Sequence, residues 1–220
     1  MRPFFTAFIA IALSGCASHA QFQAPDSYKI VSDDFNQKTI HHDILYSQPE
    51  PGILNDIEQQ PMSPIGESEL SSVSRRTLAN TDSIIQSHLP AGMATVTSET
   101  SADYLMSVRI KAYKKHGPTA WDYEFLKSFG IGLFTLGLGP DLWDITAEFD
   151  AVYELKTNSG STVHQKRFEI RDKADHQAAF YESLTPLYRA SKQLYEQQLH
   201  QTLNTFFKQV EEKGFATQGS

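Results

Sequence analysis

The chain has 220 residues, 40% of them hydrophobic, and its 26 acidic against 19 basic side chains give a net charge of −7. A net acidic chain is a poor partner for nucleic acid or for an anionic lipid surface, because binding to either depends on Lys and Arg. Cys16 is the only cysteine. The rest of the chain therefore has no disulfide, no thiolate zinc site and no cysteine nucleophile.

The N-terminus has the arrangement of a bacterial signal peptide. Arg2 supplies a positive charge, and an uncharged, mostly apolar run of ten residues follows it from Phe4 to Leu13. This run is too short to cross a bilayer, which takes about 20 residues. It has the length of a signal-peptide core.

The sequence Leu13-Ser14-Gly15-Cys16 resembles the lipobox of bacterial lipoproteins. The resemblance implies that residues 1–15 are removed as a signal peptide and that Cys16 is lipidated on its sulfur and acylated on its new amine. Two or more acyl chains anchor a protein stably to a membrane. Ala17, in place of Asp, implies sorting to the outer membrane with the domain on the periplasmic face. The alternative is a buried free cysteine behind an ordinary secretory signal.

The mature chain is expected to contain one folded domain. Residues 16–27 are predicted to be the lipidated N-terminus and a flexible tether, residues 28–213 the domain, and residues 214–220 a tail. A chain of this length suits a single domain of ordinary size.

The first half of the domain is predicted to hold little regular structure before one helix. Short β-like pieces lie near Tyr28–Val31 and Ile40–Tyr46, and a loop rich in Pro and Gly covers residues 47–66. From Leu70 to Leu89, apolar-leaning residues recur mostly at intervals of three and four, which predicts a helix.

The sequence of the second half predicts three strands, a short helical piece and a long helix. Apolar and polar residues alternate in Tyr104–Tyr113, in 144–156 and in 162–171, as expected for a sheet with one face buried and one face in water. The turn between the last two strands ends at Gly160, which tolerates positive φ. A short helical piece is predicted at 175–183, and a long helix begins at Thr185 and Pro186.

These elements predict an α+β fold, a two-layer sandwich in which two helices cover one face of an antiparallel three- to four-stranded sheet. The element order is similar to that of small envelope lipoproteins such as the lipopolysaccharide-assembly lipoprotein. This similarity extends over about residues 28–212 and no residue motif beyond the lipobox supports it, so it implies no functional residues.

An apolar, glycine-rich loop is predicted at 117–143, where the pattern of strands is interrupted by a segment too long for a hairpin turn. Three interpretations stay open: it completes the domain's own core, it docks on a partner or dips into lipid, or it assembles into an oligomeric pore. Tryptophans near both of its ends suit a surface that is apolar on one side and wet on the other. The candidate contact residues are Trp121, Phe125, Phe129, Ile131, Leu133, Phe134, Leu136, Leu138 and Trp143.

The sequence shows no recognisable catalytic or nucleotide-binding motif. Thr135 replaces the third glycine of the dinucleotide fingerprint, and Leu138 and Gly139 replace the Lys and Ser/Thr of a phosphate-binding loop. Several polar residues are instead predicted to be solvated. These are His41, His42, His164, His176, Asp141, Asp144 and Asp150. We therefore expect no enzyme activity, no cofactor and no metal site.

The sequence thus predicts a non-catalytic, lipid-anchored envelope accessory protein. It would bind a membrane assembly or transport complex through residues 121–143, with its lipid in the membrane and an envelope protein as partner. The alternative is a carrier of a lipid or small apolar ligand, with the same segment as a lid over a groove between helices and sheet.

Overall fold

The computed structural model describes residues 18–51, 58–134, 139–179 and 182–213. Within these ranges, seven strands form one mixed sheet. The strands are β1 (Thr39–Ser47), β2 (Ser63–Pro64), β3 (Ala94–Thr95), β4 (Tyr104–Ala112), β5 (Thr119–Tyr123), β6 (Asp141–Thr157) and β7 (Thr162–Ala178). The helices are α1 (Ser72–Leu78), α2 (Thr81–His88), α3 (Phe125–Phe134) and α4 (Thr185–Glu212).

The long strand β6 organises the sheet. One of its edges pairs with β7 along nearly its whole length. Its other edge pairs first with β5 and then with β4, which lie end to end. β1 continues the sheet beyond β4, and the two-residue strands β2 and β3 border β1.

The predicted α+β class is confirmed, but the sheet has more strands than the three to four predicted, and it is not purely antiparallel. β1 runs parallel to β4 and pairs with it from Ile40↔Tyr104 to Ser47↔Lys111. Parallel neighbours need a crossover connection, and here α1 and α2 lie between the two strands in the chain. The first predicted β-like piece, 28–31, is not a strand.

The core lies between the sheet and the helix layer. α4 packs against β5, β6 and β7 and also contacts α1 and α2. The alternation predicted for β6 is confirmed, because its inward-facing side chains are all buried. They are Ile145, Ala147, Phe149, Ala151, Tyr153 and Leu155. Buried hydroxyl pairs join α4 to the sheet and to α2. The Tyr153 hydroxyl of β6 lies 2.7 Å from Thr202 Oγ1 of α4, and the Tyr195 hydroxyl of α4 lies 2.8 Å from Thr81 Oγ1 of α2.

Two helix predictions need correction. The helix predicted at 70–89 is two helices, because the backbone leaves the helical region at Asn80 (φ −100°, ψ 3°). The Asn80 side chain donates to Glu196 of α4 at 2.7 Å. The short helix predicted at 175–183 is wrong, since β7 continues to Ala178. The predicted turn at Gly160 is confirmed, with φ +88°.

The N-terminal segment from Ser18 to Val31, which includes most of the predicted tether, lies against the domain. Ser18 forms a β-bridge with Gln177 of β7. Further along, the backbone N–H of Tyr28 donates to Asn204 Oδ1 at 2.6 Å, and Ile30 is buried in the core. The segment therefore runs along α4, from its first turns to its last.

Candidate functional site

The apolar segment 117–143 contains β5 and α3, so it is not a simple loop. Its two tryptophans are partly buried and pack against the core. Trp121 meets Tyr188 of α4 edge-on, with 4.7 Å between ring centroids. Trp143 lies 4.9 Å from the ring of Tyr123 at the end of β5. The tryptophans therefore attach the base of the segment to the domain.

α3 contacts the sheet through its polar side. Ser128 is buried, and its Oγ accepts a hydrogen bond from the backbone N–H of Leu142 at 2.9 Å. Lys127 forms an ion pair with Glu124 at 3.3 Å. That ion pair lies within the first turn of the helix, so the contacts that hold α3 to β6 are hydrogen bonds. The most apolar side of α3 is exposed.

The outward side of α3 carries four large apolar residues, which we call the α3 surface. The exposed fractions are 63% for Phe125, 82% for Leu126, 56% for Phe129 and 65% for Leu133. At 3.6 residues per turn these positions fall within an arc of about 100°. The rings of Phe125 and Phe129 stack with centroids 5.8 Å apart, so the patch is continuous.

This arrangement is the reverse of an ordinary surface helix, which turns its apolar stripe to the core and its polar side to water. Taking about 200 Å² for each large side chain, the α3 surface exposes about 500 Å². A patch of that size is at the upper end of what monomers carry, and such patches are often binding sites. Among the described residues, the segment therefore contributes to the core only near its two ends, where the tryptophans pack.

The nine predicted contact residues divide into three groups. Phe125, Phe129 and Leu133 lie in the α3 surface. Trp121, Trp143 and Ile131 are half-buried. Phe134 ends α3, whereas Leu136 and Leu138 lie outside the described residues. Sequence analysis missed Leu126, although a helical period applied to this segment would have placed it beside Phe129 and Leu133.

Other exposed apolar side chains gather at the same end of the molecule, which we call the α3 end. There β5 ends, β6 begins and β7 ends, since Tyr123 pairs with Trp143 and Asp141 with Ala178. Eight large apolar side chains are exposed among the described residues, and six of them lie here. Besides the α3 surface, they are Tyr123 and Leu184, which directly precedes α4. Ser18 also lies at this end, beside Gln177.

Two carboxylates predicted to be solvated are buried. Asp150 accepts hydrogen bonds from Tyr113 at 2.8 Å, Arg167 at 2.5 Å and Arg171 at 3.1 Å. Burial raises the pKa of Asp150, but these hydrogen bonds more than offset it, so the pKa lies below its usual value. Asp144 is also buried and pairs with Lys173 at 2.6 Å. Long side chains from neighbouring strands thus cover the polar face of the sheet locally.

The prediction that His164 and His176 are solvated is also wrong. Both lie on the face of β7 that carries Ile170, and their exposed fractions are 6% and 1%. His176 Nδ1 accepts the backbone N–H of Ala20 at 3.2 Å, and the ring of His19 stacks on it at 5.0 Å. Burial lowers the pKa of His176, and the nearby His19 lowers it further. A neutral His176 therefore holds the start of the N-terminal segment.

A small cluster formed by β1 and the turn that precedes β4 has the residue types of a metal site. Ligand atoms of His41, Asp43 and Glu99 all lie within 4.8 Å of one another. His41 Nδ1 lies 3.1 Å from the Val96 carbonyl, and its Nε2 lies 3.0 Å from Asp43 Oδ1. Imidazole and carboxylates could hold a divalent cation. Both carboxylates are solvent-exposed, however, and the same geometry suits a hydrated ion pair.

No helix in the described ranges is long and apolar enough to cross a membrane.

No family model and no curated protein matches the chain. A DUF330-family protein from Xanthomonas campestris has a similar solved structure, with TM-score 0.39 and 10% identity over 88% of this chain and 99% of that one. A neuraminyllactose-binding hemagglutinin homolog from Helicobacter pylori gives TM-score 0.40 and 8% identity over 90% and 100%. Similarity at this level assigns neither a family nor a function.

Proposed function

We propose that this protein is a non-catalytic, lipid-anchored accessory protein of the bacterial envelope that serves a membrane assembly or transport complex. The observation that carries the proposal is the α3 surface, four large apolar side chains turned to water by a helix that is fixed through its polar side. Leaving this much apolar area in water is unfavourable by about 25 cal/mol per Å². A contact that covers the surface recovers that free energy.

The lipobox supplies the second part of the proposal. A lipid on Cys16 would hold the mature chain at a membrane, and the α3 surface would add a contact that orients the domain. Two contacts, one at the N-terminus and one on α3, would stop the domain from rotating freely about its anchor. A rigid sheet with a fixed orientation suits a protein that positions or braces a larger assembly.

The alternative function, a carrier of lipid or another apolar ligand, needs space between the helices and the sheet. In the described residues this layer is filled by large side chains of β6 and α4. Phe149, Tyr153, Tyr195 and Phe206 are all fully buried there. A groove of about 510 Å³ lies instead between residues 19–23 and the first turns of α4. Nothing in the packing favours the carrier over the accessory role.

A crosslinking pull-down from envelopes tests the proposal. The native chain is compared with a variant in which Phe125, Phe129 and Leu133 are replaced by Ser, and with a control carrying Val31→Ser and Met62→Ser. The control removes exposed apolar side chains away from the α3 end. We expect the native chain and the control to capture the same membrane proteins. The α3 variant should lose them, because without the α3 contact the domain is not held in the orientation in which it meets its partner. Equal capture by all three folded proteins would refute the role of the α3 surface.

A further inference from the structure

We infer that the α3 surface is buried in the acyl-chain region of the same membrane leaflet that holds the lipid on Cys16. This inference rests on the proposed function, since it takes the lipid anchor as given. It goes further by naming the occupant of the α3 surface, which is lipid and not a protein groove.

The N-terminal segment begins at the α3 end of the molecule. Ser18 pairs with Gln177, Gln177 pairs with Leu142, and the backbone N–H of Glu124 donates to the Leu142 carbonyl. With about 4.8 Å between neighbouring strands, Ser18 lies about 15 Å from the residue that precedes α3. Cys16 is two residues before Ser18, which adds at most about 7 Å. The described chain therefore begins at the α3 end, and a lipid on Cys16 would be attached close to that end.

The exposed large apolar side chains of the described residues are concentrated at the α3 end. Six of the eight lie at the α3 end, together with the exit of the chain toward Cys16. Val31, in contrast, lies near the far end of α4, because Tyr28 contacts Glu211 there. A protein held by a lipid at the α3 end must turn that end to the membrane.

The length and the exposed apolar face of α3 suit a helix that lies in a membrane surface. At ten residues, α3 is about 15 Å long and cannot cross a bilayer. Its single apolar face is what a helix lying at an interface needs, since such helices bury one face by about 5–10 Å. Tyr123 and Trp143 stand at its base, and amphipathic rings favour the boundary between headgroups and acyl chains.

The net negative charge of the chain favours an apolar contact with lipid over an electrostatic one. The mature chain from Cys16 loses Arg2 and keeps 26 acidic against 18 basic residues, so attraction to anionic headgroups is not the driving force. Transfer of apolar area into lipid is independent of that charge. The inferred contact is therefore insensitive to salt, unlike one that depends on Lys and Arg.

Depth-dependent quenching tests the inference on the lipidated mature protein. Leu133→Cys and, as the matched control, Val31→Cys each place a thiol on an exposed position, and Cys16 is otherwise the only cysteine. Each variant carries a polarity-sensitive fluorophore and is reconstituted in vesicles of phosphatidylethanolamine and phosphatidylcholine. We expect lipids with a quencher on the acyl chain to quench the probe at 133 at least about fivefold more than the probe at 31, at low and high salt alike.

The inference is overturned if both probes stay accessible to aqueous iodide and neither is quenched from the acyl chains. If that happens while the pull-down still depends on the α3 surface, the occupant is a protein, and the proposed function stands without lipid contact. A mature protein whose mass shows no lipid on Cys16 overturns the inference together with the anchor in the proposed function. Adding Phe125→Ser and Phe129→Ser to Leu133→Cys should abolish the quenching, and unchanged quenching would also count against the inference.

Discussion

Two leucines on helices allow a direct test of whether α3 belongs to the core. Leu126 on α3 is 82% exposed, whereas Leu199 on α4 is 0% exposed. The same substitution, Leu→Ala, can be made at both positions, and it changes intrinsic helix propensity little. The two variants therefore differ mainly in how much apolar contact each leucine makes.

The expected magnitudes are far apart. Leu199→Ala removes a fully buried side chain from between α4 and the sheet, and such changes lower the free energy of unfolding by about 2–5 kcal/mol. Leu126 already has most of its side chain in water, so Leu126→Ala should change that free energy by no more than about 0.5 kcal/mol. A domain of this size is stable by about 5–15 kcal/mol, so the larger loss is easily measured.

Both free energies of unfolding can be measured by urea denaturation of the mature chain carrying Cys16→Ser, with tryptophan fluorescence as the signal. The midpoint should fall clearly for Leu199→Ala and stay near that of the parent for Leu126→Ala, with similar slopes. A loss of about 2 kcal/mol or more for Leu126→Ala would mean that α3 packs into the core and that the α3 surface is not free for a contact.

Two further predictions concern ionisable groups. Burial lowers the pKa of four histidines, which are His88, His164, His176 and His200. In the unfolded chain the histidine pKa values are about 6.5. As the pH falls below that value, the unfolded chain binds more protons than the folded chain does. The stability is therefore full above about pH 6.5 and is lost as the pH drops through the lowered pKa values of the folded chain. The urea midpoint should accordingly fall between pH 7.5 and 5, and a flat profile would contradict the burial of these rings. Asp150→Asn should lower the free energy of unfolding by about 1–3 kcal/mol at pH 7. Because the pKa of Asp150 is lowered, the difference from the parent should shrink in acid, and a difference independent of pH would speak against the ion pairs.

The strands with clear alternation could be predicted from the sequence because their pattern is local. From Ile145 to Leu155 every second side chain of β6 is an apolar residue buried in the core, and the sequence shows this directly. The partner of β1 could not be predicted in the same way. Its pairing with β4 joins Ile40 to Tyr104, and no short-range pattern reports which strand a crossover returns to.

The polar residues show a second reason why sequence reasoning was incomplete. His176 is covered by Ala20, 156 residues earlier in the chain, and Asp150 is covered by Arg167 and Arg171 from the neighbouring strand. Burial of this kind depends on tertiary contacts between distant segments. In the apolar segment, frequent glycines suggested a loop, yet Gly130 lies inside α3, where it costs only about 1 kcal/mol relative to Ala.

In the cell, we expect the α3 surface to be covered by a contact and Val31, near the far end of α4, to face water. The most direct test is thiol accessibility in intact envelopes, with Leu133→Cys compared with Val31→Cys, both on exposed positions of the isolated protein. A membrane-impermeant maleimide, admitted through a permeabilised outer membrane, should label position 31 fully and position 133 at most about a tenth as fast. After detergent extraction both should label equally. Equal labelling in the intact envelope would contradict the account, because the α3 surface would then face water in the cell as it does in the isolated chain.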